Sequence, residues 1–228
     1  MDENSVKGVP TEAPGLREFL RDYPLMAIRP GAGVHLRLKG RFAFVACHAT
    51  AGEVYDSYAL EIDVPKAFPR DLPEVRETEG RIPRTGDFHI YTDGTLCLGS
   101  PLGLLVRISD APSLIGFSEK CLIPYLFAIS RKLNSGGPLP FGELAHGPRG
   151  ILSDYSQLFD LKHADQVGYA LQLLGMKKRH ANKLPCPCGC GMRLGRCSFN
   201  IRLRAFRSMA CRSWFRKEVQ KVVLVAAK

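Results

Sequence analysis

The chain lacks any run of about 18 uncharged apolar residues, so the sequence predicts no membrane-spanning helix. Its first residues, MDENSVKGVPTEAPG, lack the basic-then-apolar layout of a secretion leader, which makes the cytoplasm the expected compartment. No internal repeat is visible, which argues against a solenoid or an array. Acid is scarce at one end only. From Gly175 onward Glu218 stands alone against 14 Lys/Arg, whereas the rest of the chain holds 18 Lys/Arg and 21 Asp/Glu. The formal charge of +10 therefore resides in the tail, on a body that is close to neutral. Such an asymmetry points to an acidic partner, protein or nucleic acid; the competing role is a solvated basic helix.

What is present is the material of a globular fold. The 228 residues are 45% hydrophobic and 24% charged, enough apolar surface for a core and enough length for one domain with an appendage. The eight cysteines stand at 47, 97, 121, 186, 188, 190, 197 and 211. In a reducing compartment they read as metal ligands, a nucleophile or buried thiols rather than a disulfide framework.

Residues 1–14 are expected to be disordered, and Leu16, Phe19 and Leu20 predict a short helix over 15–23 that stops before Pro24. Alternation and β-formers predict strands at 35–49, with a bend or turn near Gly40, at 55–64 and at 72–77, in an antiparallel meander. The prolines of PKAFPRDLP (65–73) predict an extended, rigid connection. Residues 78–104 are rich in Gly, Pro, Asp and Thr and lack periodicity, which is where function is expected in a compact domain. Helices are expected at 112–133, kinked or divided at Pro124, and at 149–160 and 163–177 after a Gly/Pro-rich loop at 134–147. Residues 199–226 read as one long basic amphipathic helix, with Ile201, Leu203, Phe206, Met209, Ala210 and Phe215 on its apolar side.

Two adjacent motifs carry a resemblance. In IDVPKAFPRDLPEV (62–75) a strand ends in Pro65, the pair Phe68-Pro69 follows, and Pro73 precedes Val75. In DFHIYTDGTLCLG (87–99) the segment ends in Gly94, Leu96, Cys97 and Leu98. Together, in this order, they resemble the catalytic segment of ubiquitin-conjugating enzymes, over roughly residues 15–160. The sequence is most similar to bacterial members of that superfamily. The departures are Leu72 in place of a proline, Asp87-Phe88-His89 in place of His-Pro-Asn, and a Val75-to-Asp87 spacing about four residues longer than usual.

The resemblance implies that Cys97 carries a ubiquitin-like modifier as a thioester, received from an activating enzyme and passed to an acceptor, expected to be a lysine of a target protein. Cysteine suits this role because its thiolate is a competent nucleophile at neutral pH. His89 holds the position of the family's Asn. It can donate an N–H to the oxyanion, and unlike Asn it can take a proton from the incoming amine. The competing roles are a buried structural thiol for Cys97 and a loop hydrogen bond for His89. Glu143 and His146 can approach Cys97 or sit in a surface loop. Asp93 reads as a turn residue before Gly94, and Cys47 and Cys121 read as core. Bacterial sets of this kind imply an antiphage defence context and a deconjugating peptidase as a further partner.

PCPCGCGMRLGRC (185–197) is the second signal. Four thiols in so short a segment suit a structural Zn²⁺ knuckle, with Arg193 and Arg196 offsetting the thiolate charge. The segment resembles the zinc motif at the C-terminus of SecA in Cys186, Cys188 and Cys197, with Ser198 where that motif has its fourth ligand. Cys190 is the expected fourth ligand, ahead of Cys211 and His180.

The sequence thus predicts an α+β protein. A ubiquitin-conjugating-like domain over 15–165, a four-stranded antiparallel meander flanked by helices, is followed over 166–228 by a helical linker, a zinc module and a basic helix. The competing functions are a catalytically inactive scaffold of the same fold and a zinc-dependent nucleic-acid binder. Trp214 and Phe215 among arginines permit base stacking, but no nucleic-acid motif accompanies them.

Overall fold

The structure, a computed structural model, describes residues 13–30, 36–48, 52–136 and 147–226, without the side chains of 148 and 223–226. The expected disorder at 1–14 falls almost wholly outside these residues, as do Glu143 and His146.

Helix α1 (Leu16–Asp22) leads into strands β1 (Met26–Arg29), β2 (Leu36–His48), β3 (Gly52–Val64) and β4 (Glu74–Glu77). These form one antiparallel sheet in the order β1-β2-β3-β4. The period-two pattern turns Phe42, Phe44, Tyr58, Leu60 and Ile62 inward. Strand β1 was not expected from the sequence. It pairs with the first half of β2, Met26 opposite Gly40. Gly40 marks no bend in the ladder: β2 pairs with β3 continuously from Leu36 to His48. A glycine is needed there because a Cβ would lie 2.0 Å from the carbonyl oxygen of Leu25.

Cys47 does not join the core. Phe42 and Phe44 point inward, so the odd-numbered Cys47 faces out and is exposed. The proline segment is folded rather than extended. Phe68 N–H donates to Pro65 O at 2.9 Å and Arg70 N–H to Ala67 O at 2.8 Å, and the Phe68 side chain is buried in the core.

Helix α2 (Pro101–Arg107), also not expected, starts with Pro101 in its first turn under an N-cap in which Ser100 Oγ accepts from Gly103 N–H at 3.1 Å. The expected helix at 112–133 is α3 (Leu114–Phe117) and α4 (Ile123–Ser135) joined by a π-helical turn at Ser118–Leu122. The wider turn sits just before Pro124, whose missing N–H disturbs the regular ladder. These helices cover the inner face of the sheet. Phe19, Phe42, Tyr58, Phe117, Leu122 and Leu126 fill the space between, each buried group of this size contributing about 1.5–3 kcal/mol. One polar chain enters this core: Ser130 Oγ lies 2.8 Å from Tyr58 Oη and donates to Asp56 at 2.7 Å, and Asp56 also holds Arg81.

Helices α5 (Gly147–Phe159), α6 (Ala164–Gly175), α7 (Lys178–Ala181), α8 (Phe199–Met209) and α9 (Arg212–Ala226) complete the described chain. They build a second core from Tyr155, Phe159, Leu171, Leu203, Phe206 and Phe215, which also takes in Leu102 and Leu105 of α2. The single helix expected over 199–226 is divided. Ala210 is extended, at φ −138° and ψ 161°, and α9 turns back to lie along α6. Ala210 and Phe215 are both buried in this core, and one straight helix from Phe199 would carry Phe215 away from it. Arg207 seals the C-terminus of α6, donating to the carbonyls of Leu173, Leu174 and Met176 at 2.7, 3.1 and 3.1 Å. Burial, with the charge of Arg212, lowers its pKa. Among the described residues no helix is long and apolar enough to cross a membrane.

Candidate functional site

Cys97 sits at the end of the irregular segment between β4 and α2. That segment is held by backbone bonds rather than by regular structure. Leu96 N–H donates to Val75 O at 2.8 Å, Glu77 N–H to Gly94 O at 2.9 Å, and Tyr91 N–H to Thr95 O at 2.9 Å. Asp93 takes the turn role, accepting from Thr95 N–H at 2.9 Å, which lowers its pKa. Gly94 follows at φ +86°, where a Cβ would fall 2.5 Å from Glu77 O. The thiol is thereby presented on a loop whose two flanks are pinned.

His89 lies beside it through the backbone. Cys97 N–H donates to His89 O at 2.7 Å, and His89 adopts a left-handed conformation at φ 49°. The residue is 9% exposed and borders the same cavity as Cys97. Two tyrosines complete this side. Tyr91 has its pKa raised first by charge on the Cys97 sulfur, then by burial and a hydrogen bond to that sulfur. Tyr125 Oη donates to Phe88 O at 2.8 Å, which holds the loop against α4, and burial raises its pKa strongly.

The cavity has a volume of about 450 Å³. Cys97, His89 and Tyr91 line it, together with Pro73 and Val75 from the end of the proline segment and the start of β4. Asp154 of α5 and Trp214, Glu218 and Lys221 of α9 line it as well. Asp154 is hydrogen-bonded to Ser100, the cap of α2. Glu218, the lone acid of the basic tail, is 2% exposed and accepts from Tyr155 Oη at 2.7 Å, and the same Tyr155 oxygen accepts from Leu102 N–H at 3.2 Å. The second core is thus tied to the Cys97 loop through α2. Sequence reasoning missed Tyr91, Asp154 and Glu218. Tyr91 stands between the two residues singled out, and Glu218 is conspicuous by charge; nothing local to Asp154 marks it.

The second candidate site is the cysteine cluster. Cys186, Cys188, Cys190 and Cys197 place their sulfurs within 4.8 Å of one another, with Cys186–Cys188 at 3.2 Å, Cys188–Cys197 at 3.6 Å and Cys190–Cys197 at 3.7 Å. All four are free thiols. A tetrahedral thiolate site with metal–sulfur bonds of about 2.3 Å has sulfur–sulfur edges of about 3.8 Å, so the four fit a metal ion. The frame is a short hairpin in which Cys186 N–H donates to Met192 O at 2.8 Å and Leu194 N–H to Leu184 O at 2.8 Å. Gly189 and Gly191 take φ +80° and +74° within it. Phe199 N–H donates to Cys197 Sγ at 3.4 Å, and this bond, with those from the Cys186, Cys188 and Cys190 thiols, lowers the pKa of Cys197 to about 7. Cys190 belongs to the cluster; Cys211 instead lies 3.0 Å from Ser213 Oγ, and His180 is exposed on α7.

Neither a comparison with protein-family models nor a search of curated proteins finds a match for this chain.

Proposed function

We propose that the protein is a ubiquitin-conjugating-type enzyme: it accepts a ubiquitin-like modifier from an activating enzyme as a thioester on Cys97 and passes it to a lysine of a target protein. The observation that carries this reading is the Cys97 thiol at the edge of a cavity. It stands on a pinned loop beside a four-stranded antiparallel meander, after the proline frame that the resemblance rests on. The Cys97 thiolate attacks the carbonyl carbon of the incoming thioester, the carbon–sulfur bond to the activating enzyme breaks, and that enzyme's thiolate leaves. In the second half the amine nitrogen bonds to the same carbon and Cys97 leaves as thiolate. Charge builds on the carbonyl oxygen in both halves. A donor placed there is worth about 3–4 kcal/mol in well-studied sites, and His89 is the candidate. His89 is also the candidate to take the amine's proton.

The four clustered thiols hold structural Zn²⁺ in this reading. Thiolates are its preferred ligands, and a closed set of four leaves no open position for chemistry. The resemblance to bacterial members supports a cytoplasmic protein of an antiphage system that includes a deconjugating peptidase.

The test is reconstitution with an activating enzyme and a ubiquitin-like modifier. Wild type should form a thiol-sensitive adduct, Cys97→Ala none, and Cys97→Ser a thiol-resistant oxyester. A wild-type protein that never takes up the modifier would remove the reading. Full biological function in Cys97→Ala would favour the inactive scaffold.

A further inference from the structure

Helix α9 belongs to the zinc-linked module by sequence, yet it lines the same cavity as the candidate nucleophile. Trp214, Glu218 and Lys221 of α9 line the 450 Å³ cavity that Cys97 also lines, with Ile151 and Asp154 of α5 among the same lining residues. This face is built in. Glu218 is held by Tyr155 at 2.7 Å and lies 3.4 Å from the Lys221 ammonium, and Asp154 is held by Ser100. The side chains that border the space are of two kinds. Leu98, Leu104 and Ile151 are apolar, whereas of the acids Asp71, Glu74, Asp154 and Glu218, Glu74 pairs with Arg76 and Glu218 with Lys221, which leaves two acids in excess. An apolar passage with a net negative lining matches a nucleophile with an aliphatic stem and a cationic head.

We propose that α5 and α9 form the acceptor wall of the Cys97 site and select a lysine side chain, with Trp214 and Asp154 as the residues that bind it. This rests on the reading of Cys97 as an acyl carrier and adds what the acceptor meets there. The ammonium is drawn in by the acids and sheds a proton to water. Its nitrogen then attacks the thioester carbon, the carbon–sulfur bond breaks, Cys97 leaves as thiolate, and the second proton passes from nitrogen to the base, for which His89 is the candidate.

The experiment uses the full chain and no cognate modifier. Cys97 is loaded by exchange with an acetyl-Gly-Gly thioester of mercaptoethanesulfonate, and the adduct is followed by intact mass. Discharge is compared for Nα-acetyl-lysine methylamide, a cation with a stem, and hydroxylamine, small and neutral. Trp214→Ala and Asp154→Asn should each lower the ratio of lysine-probe to hydroxylamine rates by about fivefold or more, through KM for the lysine probe. In wild type, raising the salt should slow the lysine probe selectively, because added ions screen the acidic lining. That measurement stands even where a variant fails to fold. Ratios within about twofold of wild type in both variants, or salt slowing both probes alike, would overturn the wall. No adduct on wild-type Cys97 would overturn the acyl-carrier reading itself, and the wall with it.

Discussion

The amide of Cys97 donates to the carbonyl of His89 at 2.7 Å, so the backbone of the histidine positions the cysteine whatever its imidazole does. His89 reaches this geometry at φ 49°, a conformation that asparagine tolerates and β-branched residues resist. His89→Asn should therefore leave stability within about 0.5 kcal/mol, whereas His89→Val should lose about 1–2 kcal/mol in urea unfolding. If the imidazole takes the amine's proton, His89→Asn should also slow aminolysis of the Cys97 adduct and change its pH profile. A rate equal to wild type with the same profile would confine His89 to the backbone role.

Tyr91 is hydrogen-bonded to the Cys97 sulfur. Charge on that sulfur, burial and this hydrogen bond raise the tyrosine's pKa, and its hydroxyl is the donor available to the sulfur. Tyr91→Phe removes that donor. Alkylation of Cys97 by iodoacetamide at pH 7.5 should slow by about fivefold, the equivalent of one hydrogen bond of about 1 kcal/mol. Peptide mapping of the labelled cysteine measures this directly.

Tyr155 joins Leu102 N–H to Glu218 through one oxygen, in a position where burial strongly raises its pKa. Tyr155→Phe leaves a buried carboxylate without that donor and an amide without its acceptor. The expected cost is about 1–3 kcal/mol in urea unfolding. The same variant should loosen α9 from the cavity, seen as faster hydrogen exchange in its amides.

The cysteine cluster should bind one Zn²⁺ per chain when the protein is purified without chelator. Metal analysis giving less than about 0.3 per chain would exclude a structural site. Removal of zinc should destabilise the second core, because α8 begins where Phe199 N–H meets Cys197 Sγ. Cys188→Ser should lower metal content and thermal stability together.

Asp56 gives the fold an acid-sensitive point. Burial pushes its pKa up, but hydrogen bonds from Arg81, Ser130 and the Ser57 amide together hold it below its ordinary value of 3.8. A carboxyl depressed in the folded state contributes stability above the unfolded pKa and loses it as pH falls through the folded one. Wild type should therefore lose more stability than Asp56→Asn between pH 5 and the acid limit of about pH 2, by urea titration at each pH.

Much of this arrangement is written locally in the chain. The alternation at Phe42, Phe44, Tyr58 and Leu60 determines a half-buried antiparallel sheet, because a strand's side chains alternate faces regardless of what lies beyond. The spacing of Cys186, Cys188, Cys190 and Cys197 brings four sulfurs together from a tight hairpin and the short helical turn that follows it. The same local logic failed at Cys47, where the residue type suggested core and the strand phase turned it outward. Tertiary structure alone decided that the basic tail breaks at Ala210, since the break serves the burial of Ala210 and Phe215 in a core shared with α2, α5 and α6. It also decided which residues share a cavity with Cys97. Asp154 and Glu218 come from helices far along the chain, and no pattern near Cys97 could announce them. Their placement depends on packing between cores, where the partner of each residue is set by the shape of the whole rather than by its neighbours in sequence.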